Sequence, residues 1–170
     1  MSNSRVRTFS LTAICFLLFI GGTIVAYSQT RSYVANPNGA ITVLDTTTNA
    51  VVGSITVCTD FTCSPLIPAV APNGARLYVT NFSHNKVSVI DTLTNKVIDT
   101  ITVGQSPWGV AITPDGKRAY VASSSGTISI IDTGTNDVID TIAEGDGPLG
   151  VAITPDGTRA YVSNGAAPYP

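Results

Sequence analysis

Residues 109–123 read GVAITPDGKRAYVAS, and residues 150–164 read GVAITPDGTRAYVSN, two copies of one pattern 41 residues apart. The pattern extends outward from this pair. Tyr120-Val121-Ala122-Ser123 and Tyr161-Val162-Ser163-Asn164 are matched by Tyr78-Val79-Thr80-Asn81 and by Tyr33-Val34-Ala35-Asn36. The tyrosines are spaced by 45, 42 and 41 residues. Asp45-Thr-Thr-Thr-Asn49, Asp91-Thr-Leu-Thr-Asn95 and Asp132-Thr-Gly-Thr-Asn136 keep the same phase, as do Pro72-Asn73-Gly74, Pro114-Asp115-Gly116 and Pro155-Asp156-Gly157. Three motifs in register mark an internal repeat.

One unit resolves into four short strands. Gly109 to Thr113 is small and apolar, and Pro-Asp-Gly then supplies turn residues that tolerate positive φ. Arg118 to Ala122 is the second strand. Thr127 to Ile131 is the third, with Ile128 and Ile130 on one face by the period-two rule. Asp132 and Asn136 bracket a turn, Val138 to Ala143 is the fourth strand, and Gly145-Asp146-Gly147-Pro148 links to the next unit. Four strands in about 42 residues without a helical stretch is the pattern of a propeller blade. A sandwich would not require so regular a fourfold grouping.

The Tyr-Val-(Thr/Ala/Ser)-Asn signature, the Val-Ser-Val-Ile-Asp-Thr run at 87–92 and the Gly-Val-Ala-Ile-Thr-Pro-Asp-Gly runs at 109–116 and 150–157 resemble the YVTN-family β-propeller repeats of exported bacterial proteins and archaeal surface-layer proteins. The resemblance covers about residues 33 to 164. It implies an all-β fold of four-stranded antiparallel blades, and it is weak for activity because such repeats host several functions. The strand count comes to thirteen, in groups of three, four, four and two: about three blades and a partial one, an incomplete or open ring. Closed propellers have at least four blades. The open blade edges invite association. A fragment of a longer reading frame is the preferred explanation. A ring completed by self-association and an arc capped by its own tail are the other two.

Residues 1–28 read as a signal peptide. Arg5 and Arg7 form a positive start, Leu11 to Tyr27 is uncharged and mostly apolar, and Ala26 and Ser28 place small residues before Gln29. An uncleaved membrane anchor is the competing reading, since seventeen residues lie at the lower limit for a span. Ile14 before Cys15 argues against a lipoprotein site. Both readings place residues 29–170, the partial propeller, outside the cytoplasm, and membrane attachment is expected only if the segment stays uncleaved.

Charged residues make up 12% of the 170-residue chain and apolar residues 44%, which excludes a disordered tail or a charged coiled coil. The net charge of −2 becomes −4 when the segment carrying Arg5 and Arg7 is removed. Without a Lys/Arg run, nucleic acid is not an expected partner. His84 is the only histidine, so a Ser-His-Asp triad would have to centre there, and it is read as a surface residue. The aspartates sit mainly at turns. No catalytic residue, metal site or cofactor is assigned, and a Cys-x-x-Cys-His haem motif is missing.

Cys58 and Cys63 depart from the repeat, in a linker four residues longer than its counterpart after Val103. In an oxidising compartment the pair is expected to form a local disulfide, with a redox or metal role as the alternative. Alternation of strand direction puts the blade-to-blade linkers and the second-to-third-strand loops on one face. Phe61, Phe82, His84 and Trp108 would lie there as a binding face. The plainer reading of Trp108 is packing at the start of its inner strand, where Leu66 and Leu149 hold the equivalent places. The expected function is an exported binding or scaffolding module for a protein or surface ligand, without catalysis. The alternative is part of a propeller oxidoreductase or lyase with its active residues on other blades.

Overall fold

Short polar residues at the turns fix where the chain reverses. The computed structural model describes residues 15–20, 23–28, 30–36, 38–58 and 65–165, with the side chains of 15–20, 23–28 and 65 left aside. At the first-to-second-strand turns, Gly74, Gly116 and Gly157 hold φ of +71°, +73° and +72°. Beside them, Asn73, Asp115 and Asp156 accept the amides of Ala75, Lys117 and Thr158 on their side-chain oxygens. At the third-to-fourth-strand turns, Asp45, Asp91 and Asp132 each accept one or two amides from the following residues. Asn49, Asn95 and Asn136 close those turns at φ of 55–63°, a left-handed conformation in which Asn is enriched.

Between the turns the chain forms fifteen described strands. A hairpin of β1 (Cys15–Ile20) and β2 (Thr23–Ser28) falls within the residues read as a targeting segment, and these strands pair only with each other. The first blade is β3 (Arg31–Asn36), β4 (Ala40–Asp45) and β5 (Ala50–Thr56). The second is β6 (Pro65–Val70), β7 (Arg76–Asn81), β8 (Lys86–Asp91) and β9 (Lys96–Thr102). The third is β10 (Pro107–Ile112), β11 (Arg118–Ser123), β12 (Thr127–Asp132) and β13 (Val138–Ala143). The last, partial blade is β14 (Pro148–Ile153) and β15 (Ala160–Asn164). Each sheet is an antiparallel meander in chain order, with three, four, four and two strands. The thirteen strands from Arg31 onward match the grouping expected from the repeat, and the fold is an open run of propeller-type sheets.

Irregularities repeat as faithfully as strands. The register shifts between Val43 and Leu44, Val89 and Ile90, and Ile130 and Ile131, one place in each third strand. It shifts again at the start of each inner strand, between Pro65 and Pro68, Pro107 and Val110, and Pro148 and Gly150. Such bulges add local twist.

The core lies between blades. Ile41, Val43 and Ile55 of the first blade meet Leu77, Val79 and Ile90 of the second. Tyr78, Val87 and Val89 of the second meet Ala119, Val121 and Ile131 of the third. Adjacent residues of one strand therefore serve opposite interfaces. The period-two reading put Ile128 and Ile130 on a single core face, yet Ile128, Ser129, Ile130 and Ile131 are all buried. A blade has neighbours on both sides, so its middle strands carry near-continuous apolar runs, as in sheets covered on both faces. The outermost strand β13 is exposed along its length.

Innermost strands approach most closely. A Cβ on Gly109 would stand 2.6 Å from the Leu149 carbonyl oxygen and 3.1 Å from the Gly150 Cα. These are backbone atoms, and they can yield only if β10 and β14 separate. Gly109→Ala is expected to lower stability by about 1–3 kcal/mol, read as a reduced urea midpoint at unchanged m-value. An unchanged midpoint would show that the two strands do not meet as described.

The turn carboxylates also predict an acid response. Asp45 is held below the ordinary carboxylate pKa chiefly by the Thr48 amide, Asp91 by the Thr94 amide, Asp115 by the Thr113 hydroxyl and Asp156 by the Thr154 hydroxyl. A folded pKa lower than the unfolded one adds stability that is complete above the unfolded value and disappears as pH falls through the folded value. Thermal midpoints followed by circular dichroism should therefore be insensitive to these groups down to about pH 4 and decline below it. A rise in stability below pH 4 would contradict the assignment.

Candidate functional face

β7 runs into a single 3-10 turn, Phe82–His84, before Asn85 turns the chain at φ +55° into β8. The linker from β9 to β10 passes beside this turn. The Val103 amide donates to the Asn85 carbonyl at 3.0 Å, and the Ser106 amide donates to Asn85 Oδ1 at 2.9 Å. On its other side the same linker is tied to the third blade. The Gly104 amide donates to Ser129 Oγ, and the Ser106 carbonyl accepts both the amide and the hydroxyl of Ser124. Ser106 itself takes φ +54°. The linker is thus a fixed strap across two blades.

Phe82 and Trp108 meet on this strap. Their ring centroids are 5.6 Å apart with planes at 78°, an edge-to-face pair. Both residues are half-buried. Trp108 lies inside the bulge that begins β10, and Leu66 and Leu149 lie inside the equivalent bulges of β6 and β14. The packing and binding readings of Trp108 are therefore compatible: the bulge aims the side chain, and Phe82 gives the ring a partner. The Trp108 carbonyl accepts the Thr80 hydroxyl at 2.7 Å, while Thr80 Oγ1 takes the Ile67 amide at 3.2 Å. Thr80 is wholly buried and couples the inner strands of two blades.

Of the other residues expected on this face, His84 lies in the same 3-10 turn, half-buried and with an interaction partner of its own. Phe61 and Cys63 lie outside the described residues. Cys58 is disulfide-bonded. Among the described residues no cluster of three or more His, Cys, Asp or Glu side chains is arranged to hold a metal ion.

The opposite face carries a network that joins Tyr78, Thr133 and Asn136 of the repeat motifs to Arg76 and Asp99, which those motifs do not include. Arg76 Nη1 donates to the Thr133 carbonyl at 2.8 Å, and the Tyr78 hydroxyl donates to Asn136 Oδ1 at 3.2 Å. Asn136 Nδ2 then reaches Asp99 Oδ2 at 2.9 Å. Burial, partly offset by Arg76, raises the pKa of the Tyr78 phenol. One blade earlier, Arg31 Nη1 donates to the Thr92 carbonyl at 3.0 Å. The signal was available, since an arginine stands two places before the tyrosine at 31, 76, 118 and 159. What periodicity could not reveal was the acceptor, a carbonyl some sixty residues away on the next blade.

Solved chains similar to this one include one from the Kuenenia stuttgartiensis hydrazine synthase, with a TM-score of 0.69 and 33% identity. The similarity covers 95% of this chain and 44% of that one, so the chain spans less than half the length of this neighbour. No family model matches the sequence, and no curated protein does. The chain is an open arc of propeller-type blades. That architecture makes the Phe82–Trp108 strap part of one rim of the arc.

Thr80→Val keeps the shape of Thr80 and removes its hydroxyl, leaving the Trp108 carbonyl and the Ile67 amide without their partner. A loss of about 1–3 kcal/mol is expected, together with a changed near-ultraviolet signal and emission maximum from Trp108, the only tryptophan. Unaltered stability and fluorescence would show that Thr80 does not position the strap.

Proposed function

We propose that the chain is an exported, non-catalytic propeller module that binds or scaffolds a protein or surface ligand through the rim carrying Phe82 and Trp108. The observation that carries this reading is the edge-to-face aromatic pair held by a strap bonded to two blades. Aromatic groups on rigid loops contribute contact area with little conformational entropy to lose, which is why they are enriched in recognition surfaces. The leading apolar segment with its small-residue cleavage pattern supports export. A disulfide at Cys58 supports the same address, because such bonds persist in oxidising compartments. The repeat motifs at 78–81, 109–116 and 150–157 support kinship with YVTN proteins of cell surfaces.

The likeness to a chain of hydrazine synthase favours a second reading. In it the arc is a portion of a propeller belonging to an enzyme, with the reacting groups on other blades or another subunit. The two readings differ in where contact is made. The first needs the Phe82–Trp108 rim to touch a partner, and the second does not.

Replacing the exposed Ser83 with photoreactive p-benzoylphenylalanine in the producing cells tests the choice. The expected result is a discrete cross-linked species that disappears when Trp108→Ala is added and does not form from the same probe at Ile139 on the outer strand. Failure of Ser83 to cross-link, with Ile139 equally silent, would overturn the rim as a binding surface.

A further inference from the structure

The outermost strand of a blade lies on the circumference of a propeller, where no neighbouring blade covers its edge. β5, β9 and β13 hold this place, and each pairs on one side only. Exposure there is uniform from blade to blade. Val52, Ile98 and Ile139 occupy one position of the repeat and are 52%, 50% and 51% exposed. An unpaired edge is a template for another strand, and the three edges are not alike.

In β9 and β13 a carboxylate closes the edge. The Val103 amide donates to the Asn85 carbonyl, and the Glu144 amide donates to the Gly126 carbonyl. Back along the antiparallel ladders from those bonds, every second amide turns away from the sheet, and the amides of Thr100 and Thr141 are among them. Each of these outward amides donates to the side chain of the residue before it, Asp99 Oδ1 at 2.7 Å and Asp140 Oδ1 at 2.8 Å. The carboxylate takes the donor that an added strand would use and sets a negative charge in its path.

β5 has the same ladder without the closure. The Val57 amide donates to the Gly39 carbonyl, so the matching outward amide is that of Ser54. Gly53 stands where the other blades have Asp99 and Asp140, and among the described residues no side chain accepts the Ser54 amide. The strand reads Ala50-Val-Val-Gly-Ser-Ile-Thr56 and carries no charge. β9 carries Lys96 and Asp99, and β13 carries Asp140.

We propose that β5 is the edge on which the chain pairs with a second copy, β5 antiparallel to β5, and that Asp99 and Asp140 keep the other two outer edges out of such pairing. The absence of charge identifies the occupant. A two-fold antiparallel pair sets the middle of a strand against its own copy, and like charges set opposite one another are destabilising. β9 and β13 would each bring a mid-strand aspartate against its twin, whereas β5 brings Gly53 and Ser54. With Ser54 on the two-fold axis, each Ser54 amide donates to the Ser54 carbonyl of the other copy, and the two first-blade sheets become one continuous sheet. The contact uses no residue of the Phe82–Trp108 rim.

Light scattering over a concentration series, on the chain purified from its producing cells, tests the pairing. The expected mass at high concentration is twice that of one chain. Gly53→Asp installs the closing carboxylate, and a Cβ at Gly53 meets no atom within 4 Å, so the fold has room for it. That substitution should raise the dimer dissociation constant about tenfold or more while leaving the circular dichroism melt in place. Asp140→Gly makes the reverse change on β13 and should drive dimers into larger assemblies. Hydrogen exchange locates the contact, since the Ser54 amide should gain protection as the wild-type protein is concentrated. A chain that stays monomeric would overturn the proposal, and so would a dimer that Gly53→Asp leaves intact. A complex with a different protein that Gly53→Asp dissolves would overturn the second copy as the occupant. Assemblies from Asp140→Gly no larger than the wild-type dimer would overturn the closing role of the aspartates.

Discussion

The structure depends on apolar contact between sheets that are covered on both sides. A four-stranded blade is too thin to bury its own side chains, so its stability comes from its two neighbours. This is why Val87, Val89 and Ile90, close together on β8, are all fully buried although successive side chains point to opposite faces. The two core clusters are interfaces, and neither belongs to a single blade. Repeat proteins in general gain stability through such nearest-neighbour terms.

Polar groups set the angle and spacing that this contact requires. Near the inner strands, Gly109 allows two backbones to approach, and Thr80 joins β6 to the Trp108 carbonyl. At the far end of the second strand, Arg31 and Arg76 reach across to threonine carbonyls. The aspartates and asparagines at the turns satisfy local amides and leave the strand ends in register. The small variations between repeats fall where neighbours differ. Ser123 stands where Asn36 and Asn81 donate to a hydroxyl in the adjacent strand, and both Ser123 Oγ and Thr127 Oγ1 are buried without a partner among the described residues.

The rim that carries Phe82 and Trp108 grows from the same framework. Three inner strands begin with a bulge, and the first of the bulged residues is Leu66, Trp108 or Leu149. The bulge is common property, and only in the third blade does it carry an indole. Phe82 is likewise particular to one loop, where the second blade has a 3-10 turn. A surface that repetition would make uniform is thereby distinguished at one joint. On the opposite rim the arginine recurs in every unit, and Arg31 and Arg76 both reach a threonine carbonyl of the next blade.

The sequence by itself determined the number and grouping of strands from Arg31 onward and the places where the chain turns. It could do so because those features rest on local rules: glycine and asparagine at positive φ, aspartate beside free amides, and a motif repeated in phase. The loop face was legible to the extent of placing Phe82, His84 and Trp108 together. Only the tertiary structure decided that Phe82 and Trp108 touch, that β8 and β12 are buried on both faces, and that Arg76 meets Thr133. Those outcomes depend on how one blade is rotated against the next. That rotation is a property of packed sheets and leaves no periodic trace in the chain.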